Sequence, residues 1–400
     1  MGLNETPSGE RVHIGFFGRR NAGKSSLVNA VTGQDLVIVS DVKGTTTDPV
    51  HKAMELLPLG PVLIIDTPGI DDEGALGELR VRKAKQILNK TDVAVLVVDA
   101  VAGKSEADEE LIRLFQEKSV AFIVAYNKSD LLSHIPAQTS DIYVSAKNKT
   151  NIENLKERIA TLSATEEPKL RIVGDLINPS DFVVLVVPID KAAPKGRLIL
   201  PQQQTIRDIL EADAAAVVVK EYELRETLEH LGKKPKLVIT DSQVFAKVSA
   251  DTPQDIFLTS FSILFARYKG FLLQAVQGVK TLDALQEGER ILIAEGCTHH
   301  RQCDDIGTVK LPRWIKNYAS KQIDFAFTSG VEFPDDLSPY RLVVHCGGCM
   351  VNEREMRYRQ KCAEDQDVAF TNYGTIIAHI QGILRRSITI FPHILAELEE

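Results

Sequence analysis

The sequence predicts an α/β protein built around a parallel sheet and extended by two smaller α/β segments. Three observations predict it. Apolar runs of strand length alternate with amphipathic helical stretches through the first third of the chain. A glycine-rich loop joins the first such run to the first helix. The same alternation then resumes twice after a short charged stretch containing a proline. Strands alternating with helices imply crossover connections and parallel pairing.

In the first segment the expected strands are Val12–Phe17, Val62–Asp66, Val93–Asp99, Ala121–Asn127 and Ile142–Ser145, with helices opening at Lys24, Gly77, Ala107 and Asn151. Ala164-Thr165-Glu166-Glu167-Pro168-Lys169 reads as a linker. The second segment offers Phe182–Pro188, Ala215–Val219, Leu237–Thr240 and Ile256–Thr259 as strands, with helical stretches from Gln203 and Tyr222. A long apolar-periodic helix is expected over Ser260–Val279. The third segment offers Ile291–Ala294, Phe325–Phe327 and Leu342–Val344. The expected domains are therefore 1–168, 169–261 and 262–400.

With 400 residues, 44% hydrophobic and 26% charged, the chain has ordinary globular composition and enough length for several cores. A net charge of −8 argues against a general nucleic-acid binder, which needs clustered Lys and Arg. No apolar run is long enough to span a bilayer, and the polar start lacks a secretory core. Met1-Gly2-Leu3-Asn4-Glu5-Thr6 fits the loose myristoylation pattern, but nothing else points to a membrane. Five cysteines, odd in number and clustered late, do not form a secreted disulfide framework. A reducing cytoplasmic setting is expected.

Gly18-Arg19-Arg20-Asn21-Ala22-Gly23-Lys24-Ser25 follows the first strand and opens the first helix, the context a phosphate-binding loop requires. Backbone N–H groups at a helix N-terminus cradle phosphates, and the dipole favours the anion. Lys24 and Asn21, with Gly18, Ala22, Gly23, Ser25 and Ser26, are the expected phosphate contacts. Ser25 offers a hydroxyl to Mg²⁺. Asp66-Thr67-Pro68-Gly69 ends a strand, with Asp66 expected near the metal and the Gly69 amide near the γ-phosphate. Asn127-Lys128-Ser129-Asp130 selects guanine, because Asp130 can accept from both N1–H and the 2-amino group. Ser145-Ala146-Lys147 supplies a second contact to the base. Gly44-Thr45-Thr46-Thr47-Asp48 forms the first switch loop, where a threonine should reach Mg²⁺. All these elements in order describe an N-terminal P-loop GTPase binding GTP.

Asn21 in the loop and Gly44-Thr45-Thr46 in the switch make this domain resemble the TrmE–Era group of GTPases. The resemblance implies a potassium ion (K⁺) held by Asn21 in the place of an arginine finger, with Thr46 as the magnesium-linked threonine. Ile70 follows Gly69, so the water-positioning glutamine of Ras-like enzymes is absent, and slow intrinsic turnover is expected. Thr47 stands where many relatives carry arginine, which puts that residue's switch contacts in doubt.

The third segment carries Cys297-Thr298-His299 and His345-Cys346-Gly347-Gly348-Cys349, each directly after a strand run. If those strands are parallel neighbours, both motifs emerge at one carboxyl edge, where α/β folds place ligands. Three readings compete. The thiols can be buried and unliganded. Cys297, Cys346, Cys349 and either His299 or His345 can close a zinc site. Or three cysteines can hold an iron–sulfur cluster whose fourth position is weakly bound, which fits the odd thiol count. Residue count separates the two metals poorly. Cys303 and Cys362 read as structural or incidental, and Glu353, one turn past Cys349, as a plausible oxygen ligand or more simply a solvated carboxylate.

A GTPase joined to Cys-x-His and His-Cys-x-x-Cys resembles the HydF family of [FeFe]-hydrogenase maturation GTPases over essentially the whole chain. The resemblance implies a GTPase domain, a dimerisation domain and a cluster domain. It implies a scaffold carrying a [4Fe-4S] cluster on Cys297, Cys346 and Cys349, with His299 and His345 as candidates for the fourth site. It implies as partners two radical-SAM maturases that supply a diiron precursor and the apo-hydrogenase that receives it, with a homodimer or a higher oligomer, while charge and apolar runs argue against nucleic acid and membrane. Two other classes compete. A tRNA-modification or ribosome-assembly GTPase with a structural zinc is opposed by the acidic balance. A redox enzyme lacks any second cofactor fingerprint.

Overall fold

The computed structural model describes residues 6–34, 50–67, 86–135, 141–163, 170–189, 198–296, 305–330 and 332–399. The helix expected at Gly77 and the switch motif 44–48 lie outside them. The chain forms two compact units, residues 1–167 and 168–400.

The first unit is a six-stranded sheet in the order β2-β3-β1-β4-β5-β6. Its strands are β1 (Val12–Phe17), β2 (Val50–Leu56), β3 (Gly60–Asp66), β4 (Val93–Asp99), β5 (Ala121–Asn127) and β6 (Ile142–Tyr143). Helices α1 (Lys24–Thr32), α2 (Glu106–Glu117) and α3 (Ile152–Ser163) connect them. Parallel strands covered on both faces need unbroken apolar sequence, and Val93 to Val98 are each at most 1% exposed. β2 has no counterpart among the expected strands. It pairs antiparallel to β3 at the sheet edge. Its Lys52 and Glu55 break the apolar run that marks the buried strands.

The second unit holds two four-stranded parallel sheets. One runs β10-β9-β7-β8, with β7 (Phe182–Val186), β8 (Ala215–Val219), β9 (Leu237–Thr240) and β10 (Phe257–Ser260). The other runs β12-β11-β13-β14, with β11 (Arg290–Glu295), β12 (Asp324–Ser329), β13 (Leu342–His345) and β14 (Ala369–Asn372). A single hydrophobic cluster, from Ile172 to Phe391, takes in both sheets. Arg386 adds a polar tie by donating to the carbonyls of Ser249, Thr252 and Pro253.

The single helix expected over Ser260–Val279 is two helices, Phe261–Tyr268 and Leu272–Val279. Gly270 sits between them at φ +81°, the left-handed conformation that ends a helix cheaply only at glycine. Apolar periodicity continues across the break, so the pattern alone does not reveal it. The second of these helices packs against β14 at backbone distance: a Cβ on Gly278 would lie 2.2 Å from the Phe370 carbonyl oxygen.

Candidate functional site

The phosphate loop is built by the β1–α1 turn. Gly23 has φ +86°, and a Cβ there would come within 2.3 Å of Asn127 Nδ2, so glycine is required on two counts. Lys24 Nζ donates to the Gly18 and Arg19 carbonyls, each at 2.8 Å. Asn21 is exposed, with φ +63°. Ser25 Oγ donates to Asp66 Oδ2 at 2.8 Å, while Asp66 Oδ1 is buried with no hydrogen-bond partner. Burial pushes the Asp66 carboxyl up, against the pull of Ser25 and Lys24. A buried carboxylate with an orphan oxygen beside a hydroxyl fits a hard divalent cation such as Mg²⁺. Thr46 and Gly69, expected to complete this site, lie outside the described residues.

Arg19 was not among the expected site residues, yet it ties the loop to α2. Its Nε lies 3.2 Å from Asp108 Oδ2 and its Nη2 donates to the Gly103 carbonyl at 3.1 Å. Asp108 is fully buried and closes a capping box with Ser105 at the start of α2.

Asn127 joins the loop to the base-recognition segments. Its Nδ2 donates to the Ala22 carbonyl at 3.1 Å, and its Oδ1 accepts from the Ala146 N–H at 3.1 Å. Lys128 forms an ion pair with Asp99 at 2.6 Å. Ser145 Oγ donates to Asp130 Oδ1 at 2.6 Å, fixing an otherwise exposed carboxylate. Ala146 is half-buried and Lys147 exposed beside it, while Ser26 is half-buried in the first turn of α1. The structure therefore brings Gly18–Ser26, Asp66, Asn127–Asp130 and Ser145–Lys147 to the carboxyl ends of β1, β3, β5 and the segment after β6.

The thiol motifs meet in the second unit. β11 and β13 are parallel neighbours, in the register Ile291↔Leu342 to Ala294↔His345. Pairing runs one residue further, with Cys346 N–H donating to the Ala294 carbonyl at 3.0 Å. Cys346 Sγ then accepts from Gly296 N–H at 3.1 Å and from Gly348 N–H at 3.4 Å. Gly296 is the residue covalently before Cys297. Burial raises the Cys346 thiol, opposed first by the Gly296 and then the Gly348 N–H. Burial and then the neighbouring Cys346 push the Cys349 thiol up to about 12. Two half-buried thiols with backbone donors on one sulfur fit a bound metal centre, whose positive charge is what favours thiolate in such surroundings. Cys297, His299 and Cys303 lie outside the described residues. Among the described residues no three His, Cys, Asp or Glu side chains converge as a metal site.

His345 is fully buried. Arg359 Nη1 lies 3.0 Å from its Nε2, and its Nδ1 lies 2.8 Å from the Cys346 carbonyl oxygen. Burial, and then the Arg359 charge, pull its pKa down to about 3, so the ring is neutral. Glu353 forms an i,i+4 ion pair with Arg357 on an open helix face, as expected of a solvated carboxylate. Cys362 is half-buried on the same helix. Sequence reasoning missed Arg359 and Glu355, which pair at 2.9 Å while 1% and 9% exposed. It also missed Glu295, buried at the end of β11 and accepting from Tyr373 Oη at 3.3 Å. No sequence signal distinguishes these from solvated charges.

Three family models match the chain. Hydrogen maturase F dimerization domain covers residues 172–270, and Hydrogen maturase F tetramerization domain covers 273–390. Together these two take in more than half of the chain. The 50S ribosome-binding GTPase model covers 13–128, and the first unit is a P-loop GTPase. GTPase Der of Wolinella succinogenes is 34% identical, the match covering 44% of this chain and 40% of that protein. The tRNA modification GTPase MnmE of Dechloromonas aromatica is 33% identical over 38% of this chain and 35% of its own. The chain thus spans less than half the length of these curated relatives. Among solved structures, Aquifex aeolicus Era is 22% identical, covering 55% of this chain and 98% of its own at a TM-score of 0.35.

Proposed function

Because the chain belongs to the HydF family of hydrogenase-maturation GTPases, we propose that it is a GTP-hydrolysing scaffold for metallocluster assembly. In this reading Cys297, Cys346 and Cys349 hold a [4Fe-4S] cluster, which supplies an iron site where an incoming diiron unit can dock. That unit is cargo, received from radical-SAM maturases and passed to apo-[FeFe]-hydrogenase. The observation that carries the reading is the Gly296 N–H on Cys346 Sγ, which puts the chain entering Cys297 beside the Cys346 sulfur. N–H donors on a thiolate stabilise its charge, and sulfur hydrogen bonds tune clusters. Anaerobic reconstitution with iron and sulfide should give a brown protein with an EPR signal on reduction. A colourless protein that takes up one zinc ion instead would move the assignment to a tRNA-modification or ribosome-assembly GTPase with a structural zinc site. The GTPase Der and MnmE relatives match less than half of this chain, while the two hydrogen maturase F models together match more than half, so the maturase reading stands first.

GTP binding would use Lys24, Ser25 and Asp66 with Mg²⁺, with Thr46 and Gly69 completing the site from the switch segments. Asp130, Ser145, Ala146 and Lys147 would hold guanine. Asn21 would hold K⁺, which supplies positive charge near the transferring phosphoryl group. Hydrolysis is slow in this reading, because Ile70 replaces the water-positioning glutamine. GTP turnover should be at least about tenfold faster in K⁺ than in Na⁺. Equal rates in the two salts would remove Asn21 from that role.

The second unit supports self-association through β8. Among the described residues this strand lies at the edge of its sheet and pairs with β7 alone, and it is wholly apolar (Ala215–Val219), with Val218 43% exposed. An apolar strand with an open edge is a template for pairing with another chain. It falls within the residues matched by the dimerization model, so the occupant is a second copy of this chain. Val218→Lys should lower the mass measured by light scattering by about half at micromolar concentration. An unchanged mass would exclude this edge.

A further inference from the structure

Resting on the cluster-scaffold reading, we propose that His345 is a positioning residue for the thiol turn and not a ligand of the cluster. The tautomer follows from its partners. A guanidinium has only donors, so Arg359 Nη1 at 3.0 Å requires His345 Nε2 to accept. The proton therefore sits on Nδ1, which donates to the Cys346 carbonyl at 2.8 Å. Both ring nitrogens are thus committed, and the ring has no lone pair left for a metal.

The surroundings hold it there. The imidazole stacks on Phe370, with centroids 5.9 Å apart and planes 23° apart, and meets the edge of Phe271 at 6.4 Å. Arg359 is itself fixed on three sides. Its Nε donates to Glu355 Oε1 at 2.9 Å, its Nη2 donates to the Gly330 carbonyl at 2.6 Å, and it lies over the Phe333 ring at 5.1 Å. Turning Nε2 onto iron would strip a buried guanidinium of one acceptor. Ligation through Nδ1 would free the Cys346 carbonyl and move the ring proton to Nε2, where it would face the Arg359 N–H donor with no acceptor between them.

What the arrangement does is set the direction of Cys346. The peptide that carries the Cys346 carbonyl also carries the Gly347 N–H. The next N–H, from Gly348, is one of the two donors on Cys346 Sγ. Holding the carbonyl fixes that peptide plane, and with it the turn that presents the sulfur. The chain Glu355–Arg359–His345–Cys346 carbonyl is thus a support for a sulfur that itself makes no contact with the imidazole among the hydrogen bonds described.

Full-length protein carrying His345→Asn, whose amide nitrogen can replace Nδ1 as donor, separates positioning from ligation. After anaerobic reconstitution this variant should keep about wild-type iron, and its reduced cluster should show an unchanged ¹⁴N coupling by pulsed EPR. Loss of iron, or loss of a directly bonded ¹⁴N coupling, would overturn the proposal. A second measurement needs no metal. In the metal-free chain, alkylation of Cys346 followed by peptide mass spectrometry should quicken about five- to tenfold in His345→Ala, and stay near wild type in His345→Asn. The double variant Arg359→Met/Glu355→Met removes both buried charges together, avoiding the unpaired carboxylate that Arg359→Met alone would leave. It should quicken alkylation as His345→Ala does. Equal alkylation rates in all four proteins would overturn the proposal. If wild type bound no iron at all, the scaffold reading would fall while the alkylation comparison still decided the role of His345.

Discussion

Replacing Lys24 with alanine is expected to lower kcat/KM for GTP by about 100- to 1000-fold, the usual cost of deleting one preorganised charge from a transition state. Lys24 opens α1 and is 7% exposed, with its ammonium held over the loop by the Gly18 and Arg19 carbonyls. Those carbonyls keep the charge beside the loop's N–H groups, where the β and γ phosphates of a bound nucleotide would lie. The ammonium needs only to turn on its stem to reach them, while the loop stays fixed by Asn127 and by the Arg19–Asp108 pair. Loss of the charge should therefore fall mainly on turnover and GTP affinity, with guanine selection over adenine unchanged. Hydrolysis rates and fluorescent-nucleotide binding measured together check this. A variant with turnover within threefold of wild type would remove Lys24 from the reaction. If turnover fell but the thermal unfolding midpoint fell as well, Lys24→Arg would separate charge from loop integrity.

How much of this was legible in the chain depends on whether a residue's neighbours are local. The phosphate loop was legible because its glycines, Lys24 and Ser25 form one contiguous motif at a strand-to-helix turn, whereas the side chains that fix it, Asn127, Asp66 and Asp108, come from elsewhere in the chain. β4 was legible because burial on both faces demands an unbroken apolar run, Val93 to Val98. The meeting of the two thiol motifs was half legible. Each follows a strand run, but only the parallel pairing of β11 with β13 decides that Gly296 faces Cys346. The buried charges were not legible. Arg359 lies in Glu353–Glu364, a helix so rich in charge that each of its charged positions reads as solvated. Its burial is set by Phe333, Gly330 and His345, none of them within a helical turn. His345 shows the consequence. In sequence it sits beside two thiols and reads as a ligand, whereas the tertiary structure gives both its nitrogens to protein partners.

Cys346→Ala should abolish the scaffold role while leaving the GTPase intact. The sulfur of Cys346 is the acceptor for two backbone N–H groups, from Gly296 and Gly348, and alanine leaves both without that partner. A cluster held by three thiolates would then keep two, and iron retained after desalting should fall to about a quarter or less of the wild-type value. Activation of apo-hydrogenase should fall at least about tenfold in parallel. GTP turnover should not change, because the first unit has its own hydrophobic clusters, from Ile14 to Ile159 and from Phe17 to Val124. Cys346→Ser sharpens the test. Its hydroxyl can still accept from the two N–H groups but binds iron far less well than a thiolate, so it should preserve the thermal unfolding midpoint and still lose iron. Full iron content and full hydrogenase activation in both variants would end the case for Cys346 as a ligand. Loss of iron with unimpaired activation would retain the metal site and discard the carrier role, since the two readouts report separate steps.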